Sequence, residues 1–166
     1  MALHNVGFSL RPAQALDFPA IRKLIHQVGI NPLGLHWERF VVAVDGNGKM
    51  IGCGQVKQHR DGARELASIA VVEAKREQGV ASAIIHRLMQ QETRRLYLTC
   101  RAGLGPFYQR FGFRVAEMSD LSPYYRRLSR LVGLLRLLHL MPTEGLLIML
   151  WERQFENNLN EEIVKR

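Results

Sequence analysis

Between residues 65 and 91 the chain changes its hydrophobic period across a single charged turn. Residues 65–73, ELASIAVVE, have a nearly continuous apolar centre, the pattern of a strand covered on both sheet faces. Residues 74–78 then carry the charges. In 79–91, GVASAIIHRLMQQ, the residues Val80, Ala83, Ile84 and Leu88 recur at helical spacing. A strand, a turn containing glycine and a helix in that order require a sheet with helices packed on it. The turn reads Arg76-Glu77-Gln78-Gly79-Val80-Ala81. Backbone N–H groups at such a helix start form an anion site, and small residues at 79 and 81 let a diphosphate approach the main chain. A tight turn without a ligand fits the same hexapeptide. The three spaced glycines of the dinucleotide fingerprint are absent, and so is the Gly-Lys-Ser/Thr of a P-loop.

The flanking segments extend this α/β pattern. Residues 8–11 read as a short strand, and Asp17 and Pro19 open a helix over about 18–28 with Ile21, Leu24, Ile25 and Val28 on one face. Strands RFVVAVD and KMIGCGQVK flank a DGNGK turn and predict an antiparallel hairpin. After the 79–91 helix come a strand LYLTC at 96–100, a small helical segment at 104–111 and a strand FRVAE at 113–117. The expectation is one domain over residues 1–166, with a mixed β-sheet flanked by helices on both faces and a core over about 8–151. Residues 121–141 depart from the rhythm. Ser122 and Pro123 suit a helix start, Leu128, Leu131, Val132, Leu135 and Leu138 form an apolar stripe, and Pro142 and Gly145 end it. This basic insertion suits a lid, a dimer contact or a plain covering helix. LLIMLW at 146–151 reads as a last buried strand, and 152–166 as a polar tail.

Composition excludes several classes. With 47% hydrophobic and 23% charged residues the chain is neither disordered nor collagen-like. The two cysteines, Cys53 and Cys100, lie inside apolar runs and suit buried thiols rather than disulfides. The six histidines are scattered without metal-ligand spacing, so no metal is expected. The formal charge of +8 suits an anionic partner of some kind, but no segment has the density of a nucleic-acid-binding arm. The N-terminal MALHNVGFSLRP lacks the pattern of a secretory signal, and the apolar run at 131–141 is too short to span a bilayer. A cytoplasmic location without a transmembrane segment is the expectation.

Arg76, Gly79 and Ala81 match Arg/Gln-x-x-Gly-x-Gly/Ala, and Tyr108, Gly112 and Phe113 match Tyr-x-x-x-Gly-Phe. Together with the element order, these motifs resemble the GNAT superfamily of acetyl-CoA-dependent N-acetyltransferases, over most of residues 8–120 and the final strand. The resemblance implies acetyl-CoA as co-substrate, an amine-bearing small molecule or peptide as acceptor, and no specific nucleic acid. A homodimer stays open. It further implies that Ile69, Ala70, Val71 and Val72 offer backbone groups to pantetheine and acetyl. Arg76, Glu77, Gln78, Gly79, Val80, Ala81 and Ser82 would wrap the pyrophosphate. Tyr108 matches the general acid for the departing thiolate.

Glu65 is the first candidate for the base, at a spacing before Gly79 that resembles the base-bearing position of histone-acetylating members. Strand parity puts it on the side of Ala67, Ile69 and Val71. A surface carboxylate at a strand start fits Glu65 as well. His36 and Trp37 follow the first helix, where this fold borders the acceptor pocket. Arg101 and Leu104 replace the Asn-x-x-Ala of many members. Thr99 is neutral where ribosomal-protein N-terminal acetyltransferases carry an acid, which sets the chain apart from that subgroup. Two rivals to an enzyme remain: a non-catalytic acyl-CoA-binding or regulatory module, and an RNA- or membrane-interacting protein using the basic insertion.

Overall fold

The computed structural model describes residues 7–138 and 145–153. The predicted polar tail lies almost wholly outside these residues, as do His139 and Pro142. Seven strands form one mixed sheet: β1 (Phe8–Pro12), β2 (Phe40–Asp45), β3 (Met50–Gln58), β4 (Arg64–Val71), β5 (Leu96–Arg101), β6 (Arg114–Val115) and β7 (Leu146–Trp151). Their spatial order is β1-β2-β3-β4-β5-β7-β6. β1 to β4 form an antiparallel meander, β4 and β5 run parallel, and β7 inserts antiparallel between β5 and β6. The helices are α1 (Phe18–Val28), α2 (Val80–Gln90), α3 (Gly105–Gln109) and α4 (Pro123–Leu137).

The alternation of strand side chains sorts the core onto two faces. From β2, Val42 and Val44 join Ile21, Leu24 and Ile25 of α1, together with Cys53 and Ala70. Val41 and Ala43 join Val80, Ile84, Ile85 and Leu88 of α2 on the other side. Helices therefore cover both faces. Two glycines of β3 let α2 approach closely. A Cβ at Gly52 would lie 2.9 Å from Val80 Cγ1, and one at Gly54 would lie 2.5 Å from Ile69 Cδ1 and 2.7 Å from Ile84 Cγ2.

The sheet is split where it turns parallel. β4 and β5 pair only at Arg64–Leu96 and Glu65–Tyr97, and the guanidinium of Arg64 holds buried Glu92 at this closed end. Beyond it, the edge of β4 from Leu66 to Val71 has no strand partner on the β5 side among the described residues. The gap thus opens after Glu65 and leaves Ile69, Ala70 and Val71 on an edge without a β5 partner.

A bulge in β4 corrects the parity expectation for Glu65. Ser68 has φ +58, and the β3–β4 register shifts between Cys53 and Gln55. Buried Gln55 holds the irregularity by donating from Nε2 to Ser68 Oγ at 3.0 Å. One extra residue inverts the alternation, so Leu66, Ile69 and Val71 all pack on the α2 side. Glu65 and Ala67 line a cleft together with Ser68, opposite Ile69 and Val71.

Other boundaries differ locally. β4 ends at Val71 and residues 73–75 form a 3-10 turn. Only Arg114 and Val115 of FRVAE pair in the ladder with β7, extended by one backbone bond from Ala116 N–H to Ile148 O at 2.9 Å, while Phe113 is drawn into the core. The insertion forms α4, which is anchored at its start. Asp61 of the β3–β4 turn accepts the N–H of Tyr124 at 2.8 Å, and fully buried Tyr125 stacks on Tyr97 with ring centres 4.5 Å apart. Of the predicted stripe, Leu128, Val132 and Leu135 are half-buried, whereas Leu131 and Leu138 stay exposed. Aromatic packing of the first turn and Leu128 beside it seat the start of this helix. Among the described residues no helix is long and apolar enough to cross a membrane.

Candidate active site

β4 borders two cavities. The first, of about 510 Å³, lies at the start of α2 and is lined by Val71, Lys75, Arg76, Glu77, Gly79, Val80, Ala81, Ser82, Phe107 and Arg110. Gly79 caps the helix at φ +79, and Glu77 is also left-handed at φ +62. The first intrahelical bond runs from Ala83 N–H to Gly79 O at 2.9 Å. No side chain caps the turn, so the amides of Val80, Ala81 and Ser82 keep no partner in the helix. A Cβ on Gly79 would meet nothing within 4 Å, leaving room for an anion against the main chain. Gln78 instead turns back, donating from Nε2 to Ala74 O at 3.1 Å. Lys75, Phe107 and Arg110 were missed by sequence reading. The Arg110 guanidinium lies over Phe107, 5.0 Å from the ring centre, and this arginine, which follows α3, comes to the cradle only through the fold.

The second cavity, of about 700 Å³, lies on the α1 side of the sheet between the 30–36 loop and α4. Its floor comes from Lys57 and Gln58 at the end of β3, from His59 just beyond them, and from Glu65 to Ser68 of β4. Glu65 is its only acidic lining residue, and two neighbours fix it: His59 Nε2 lies 2.8 Å from Oε2, and Thr99 donates from Oγ1 to Oε1 at 3.2 Å. His59 is in turn stacked on Tyr124, ring centres 3.7 Å apart. The neutral residue at 99 thus has its own part, holding the carboxylate from the neighbouring strand. His36 and Arg39 line this cleft, whereas Trp37 begins a 3-10 turn and does not. His59, Lys57, Arg39 and Tyr124 were also missed. The alternation of Gln55 and Lys57 against Gly54 and Val56 carried a usable signal for β3, but it ends at the polar Gln58, and His59 lies just beyond the strand.

Tyr108 belongs to neither cavity. It packs in α3 against the α2-side core, edge-on to Phe107 and Phe113 with ring centres 5.1 and 6.2 Å away. Burial, with the Cys100 thiol nearby, pushes its phenol up to about 12, so it is protonated at neutral pH. Burial likewise pushes the Cys53 thiol up to about 12, which leaves it no nucleophilic thiolate. Among the described residues no group of three His, Cys, Asp or Glu side chains could hold a metal ion.

A parallel strand pair that parts toward its carboxyl ends, with a helix starting at the mouth, defines an α/β fold that seats its ligand in the crevice between strands. More narrowly, the chain has the acetyltransferase fold of the GNAT superfamily: the Acetyltransferase (GNAT) domain family matches residues 36–115. The protein Rv2747 of Mycobacterium tuberculosis, solved in complex with CoA and NLQ, is similar at 25% identity and TM-score 0.65, covering 87% of this chain and 98% of its own. N-acetylglutamate synthase of Neisseria gonorrhoeae, complexed with coenzyme A and N-acetyl-glutamate, has a TM-score of 0.67 at 20% identity. That match covers 88% of this chain but 35% of the synthase. Escherichia coli ElaA has a TM-score of 0.61 at 15% identity over 87% of this chain and 99% of its own. No curated protein matches the chain by sequence.

Proposed function

We propose that this protein is an N-acetyltransferase that moves the acetyl group of acetyl-CoA to a primary amine by direct attack in a ternary complex. The observation that carries the reading is the placement of one split strand between two sites. At the far end of the split lie unpartnered helix amides suited to a diphosphate. Near its closed end lies a carboxylate held by a histidine and a threonine in a cleft large enough for a small acceptor. CoA in the complexes of Rv2747 and of the synthase supports the choice of donor.

In this reading the amides of Val80, Ala81 and Ser82 hold the pyrophosphate, with Arg76, Lys75 and Arg110 adding charge. The free edge of β4, Leu66–Val71, offers backbone groups to pantetheine and to the thioester carbonyl, including those of Ile69 and Ala70, with Val72 beyond it. Glu65, with His59 beside it, takes the first proton of the acceptor ammonium. The freed amine attacks the acetyl carbon, the new N–C bond forms, and the C–S bond breaks. The second ammonium proton ends on sulfur, so amine and thioester become amide, free thiol and one released proton. A reference thiol titrates near 8.5, well below the Tyr108 phenol. Tyr108 therefore serves by donating a hydrogen bond to the departing sulfur and passing on the proton rather than by losing it outright.

The test is CoA release from acetyl-CoA, which depends on added amine. Tyr108→Phe is expected to lower kcat by about a hundredfold while the Kd for CoA stays within twofold. An unchanged kcat removes Tyr108 from the mechanism. A non-catalytic acyl-CoA-binding module predicts CoA binding without amine-dependent turnover.

A further inference from the structure

The acceptor cleft has the wrong charge for a polyamine and the right one for a molecule that carries its own carboxylate beside the amine. Its charged lining residues are Arg39 and Lys57 against Glu65 alone, with His36 and His59 as the remaining titratable side chains apart from Tyr124. Glu65 is already engaged by His59 and Thr99. Lys57 and Glu65 are direct cross-strand partners on β3 and β4, so their side chains stand side by side on the cleft floor. The Lys57 ammonium spends one donor on Leu33 O at 2.7 Å, which ties it to the 30–36 loop. Arg39 makes no hydrogen bond or ion pair to a side chain among the described residues. Burial depresses the Lys57 pKa, Arg39 adds to the depression, and Glu65 opposes it. Two neighbouring cations that repel one another, one of them half-buried, form a site that an anion relieves.

Building on the acetyl-transfer reading, we propose that the acceptor is a free α-amino acid. Lys57 and Arg39 take its carboxylate, and its α-amine stands at the Glu65–His59 pair. In an α-amino acid the amine and carboxylate are carried on one carbon, matching adjacent cationic and acidic positions of the two strands. The remaining cleft wall holds Ile30, Leu33, Leu128 and Leu146, which leaves apolar space for a side chain. Acetylation at the amine removes the ammonium charge and leaves the carboxylate, so the product still fits the cations but no longer the carboxylate.

The experiment compares each of the twenty L-amino acids, given singly, with the amines made by their α-decarboxylation, and with putrescine, spermidine and an N-terminal peptide amide. At least one amino acid is expected to exceed its own decarboxylated amine by about a hundredfold in kcat/KM. Arg39→Gln and Lys57→Met are each expected to shrink that ratio by about tenfold or more, the size expected for a lost charge-assisted hydrogen bond. Arg39 is exposed, so its variant tests the carboxylate contact without disturbing the loop that Lys57 holds. Faster turnover of a polyamine, a decarboxylated amine or the peptide overturns the proposal, as does a ratio that neither variant moves. If no amine is acetylated, the catalytic reading falls and the pocket is tested by thermal shift of the CoA-loaded protein with the same amino acids. A shift that Arg39→Gln abolishes supports the amino-acid site, and no shift with any of them overturns it.

Discussion

The two faces of β4 border different cavities, built from different parts of the chain. On the α2 side the candidate donor site is mostly main chain: three unpartnered amides, a left-handed glycine, and glycines in β3 that bring the helix down onto the sheet. On the α1 side the candidate acceptor site is made of side chains from β3, β4, β5, α4 and the loop after α1. A main-chain site tolerates side-chain loss and fails when its backbone is displaced. A side-chain site behaves in the opposite way, and three substitutions probe that contrast.

The largest effect is expected at Glu65. Glu65→Gln keeps the shape and a carbonyl oxygen for Thr99 to donate to, but removes the charge beside His59. Loss of a positioned proton acceptor costs about 10² to 10⁴ in rate. The prediction is a fall of that size in kcat/KM for the amine with the Kd for CoA unchanged within twofold. Turnover retained within threefold would pass the base role to another group and remove the sharpest contrast between the faces.

The same contrast decides what was legible in the sequence. The α1 and β7 boundaries fall where expected, at 18–28 and 146–151, because strong periodicity and punctuation by proline and glycine define them. Much of the candidate donor cavity is contiguous in sequence, from Lys75 to Ser82, whereas Phe107 and Arg110 reach it only through the fold. Of the acceptor cleft, Glu65 and His36 were named from the sequence, whereas Lys57, His59 and Tyr124 join Glu65 and Thr99 only once β3, β4 and β5 are aligned and α4 folds over them. The parity expectation for Glu65 failed because nothing in ELASIAVVE announces that Ser68 takes φ +58. A buried partner supplied from β3, Gln55, helps to hold that bulge.

An intermediate effect is expected from backbone displacement on the donor side. A methyl at Gly54 would sit 2.5 Å from Ile69 Cδ1, 2.7 Å from Ile84 Cγ2 and 3.2 Å from Leu88 Cδ1. Because Ile84 and Leu88 are buried in α2, relief requires the helix to shift or its side chains to leave their rotamers. Overpacking of this kind costs about 1 to 3 kcal/mol, or roughly 2 to 12 °C in melting temperature for a chain of this size. Gly54→Ala is therefore expected to lower Tm within that range and to raise the KM for acetyl-CoA more than that for the amine. An equal rise in both would mean that the two faces move as one unit.

The smallest effect is expected at Glu77, where side chain and backbone pull in different directions. Its φ of +62 is one that a non-glycine residue adopts at a cost, roughly 1 kcal/mol or more. Glycine removes this cost but adds freedom to the unfolded chain worth about 0.5 to 1 kcal/mol, so Glu77→Gly should shift Tm by no more than about 2 °C. The carboxylate is exposed and lines the candidate diphosphate cavity, where it repels an anion across solvent. Its removal is expected to tighten CoA binding about two- to threefold at low salt, fading as the ionic strength rises. Tighter binding after loss of a whole side chain is what a cradle made of amides requires. Weaker binding would give the Glu77 side chain a direct part in holding CoA and erase the distinction between the two faces at that position.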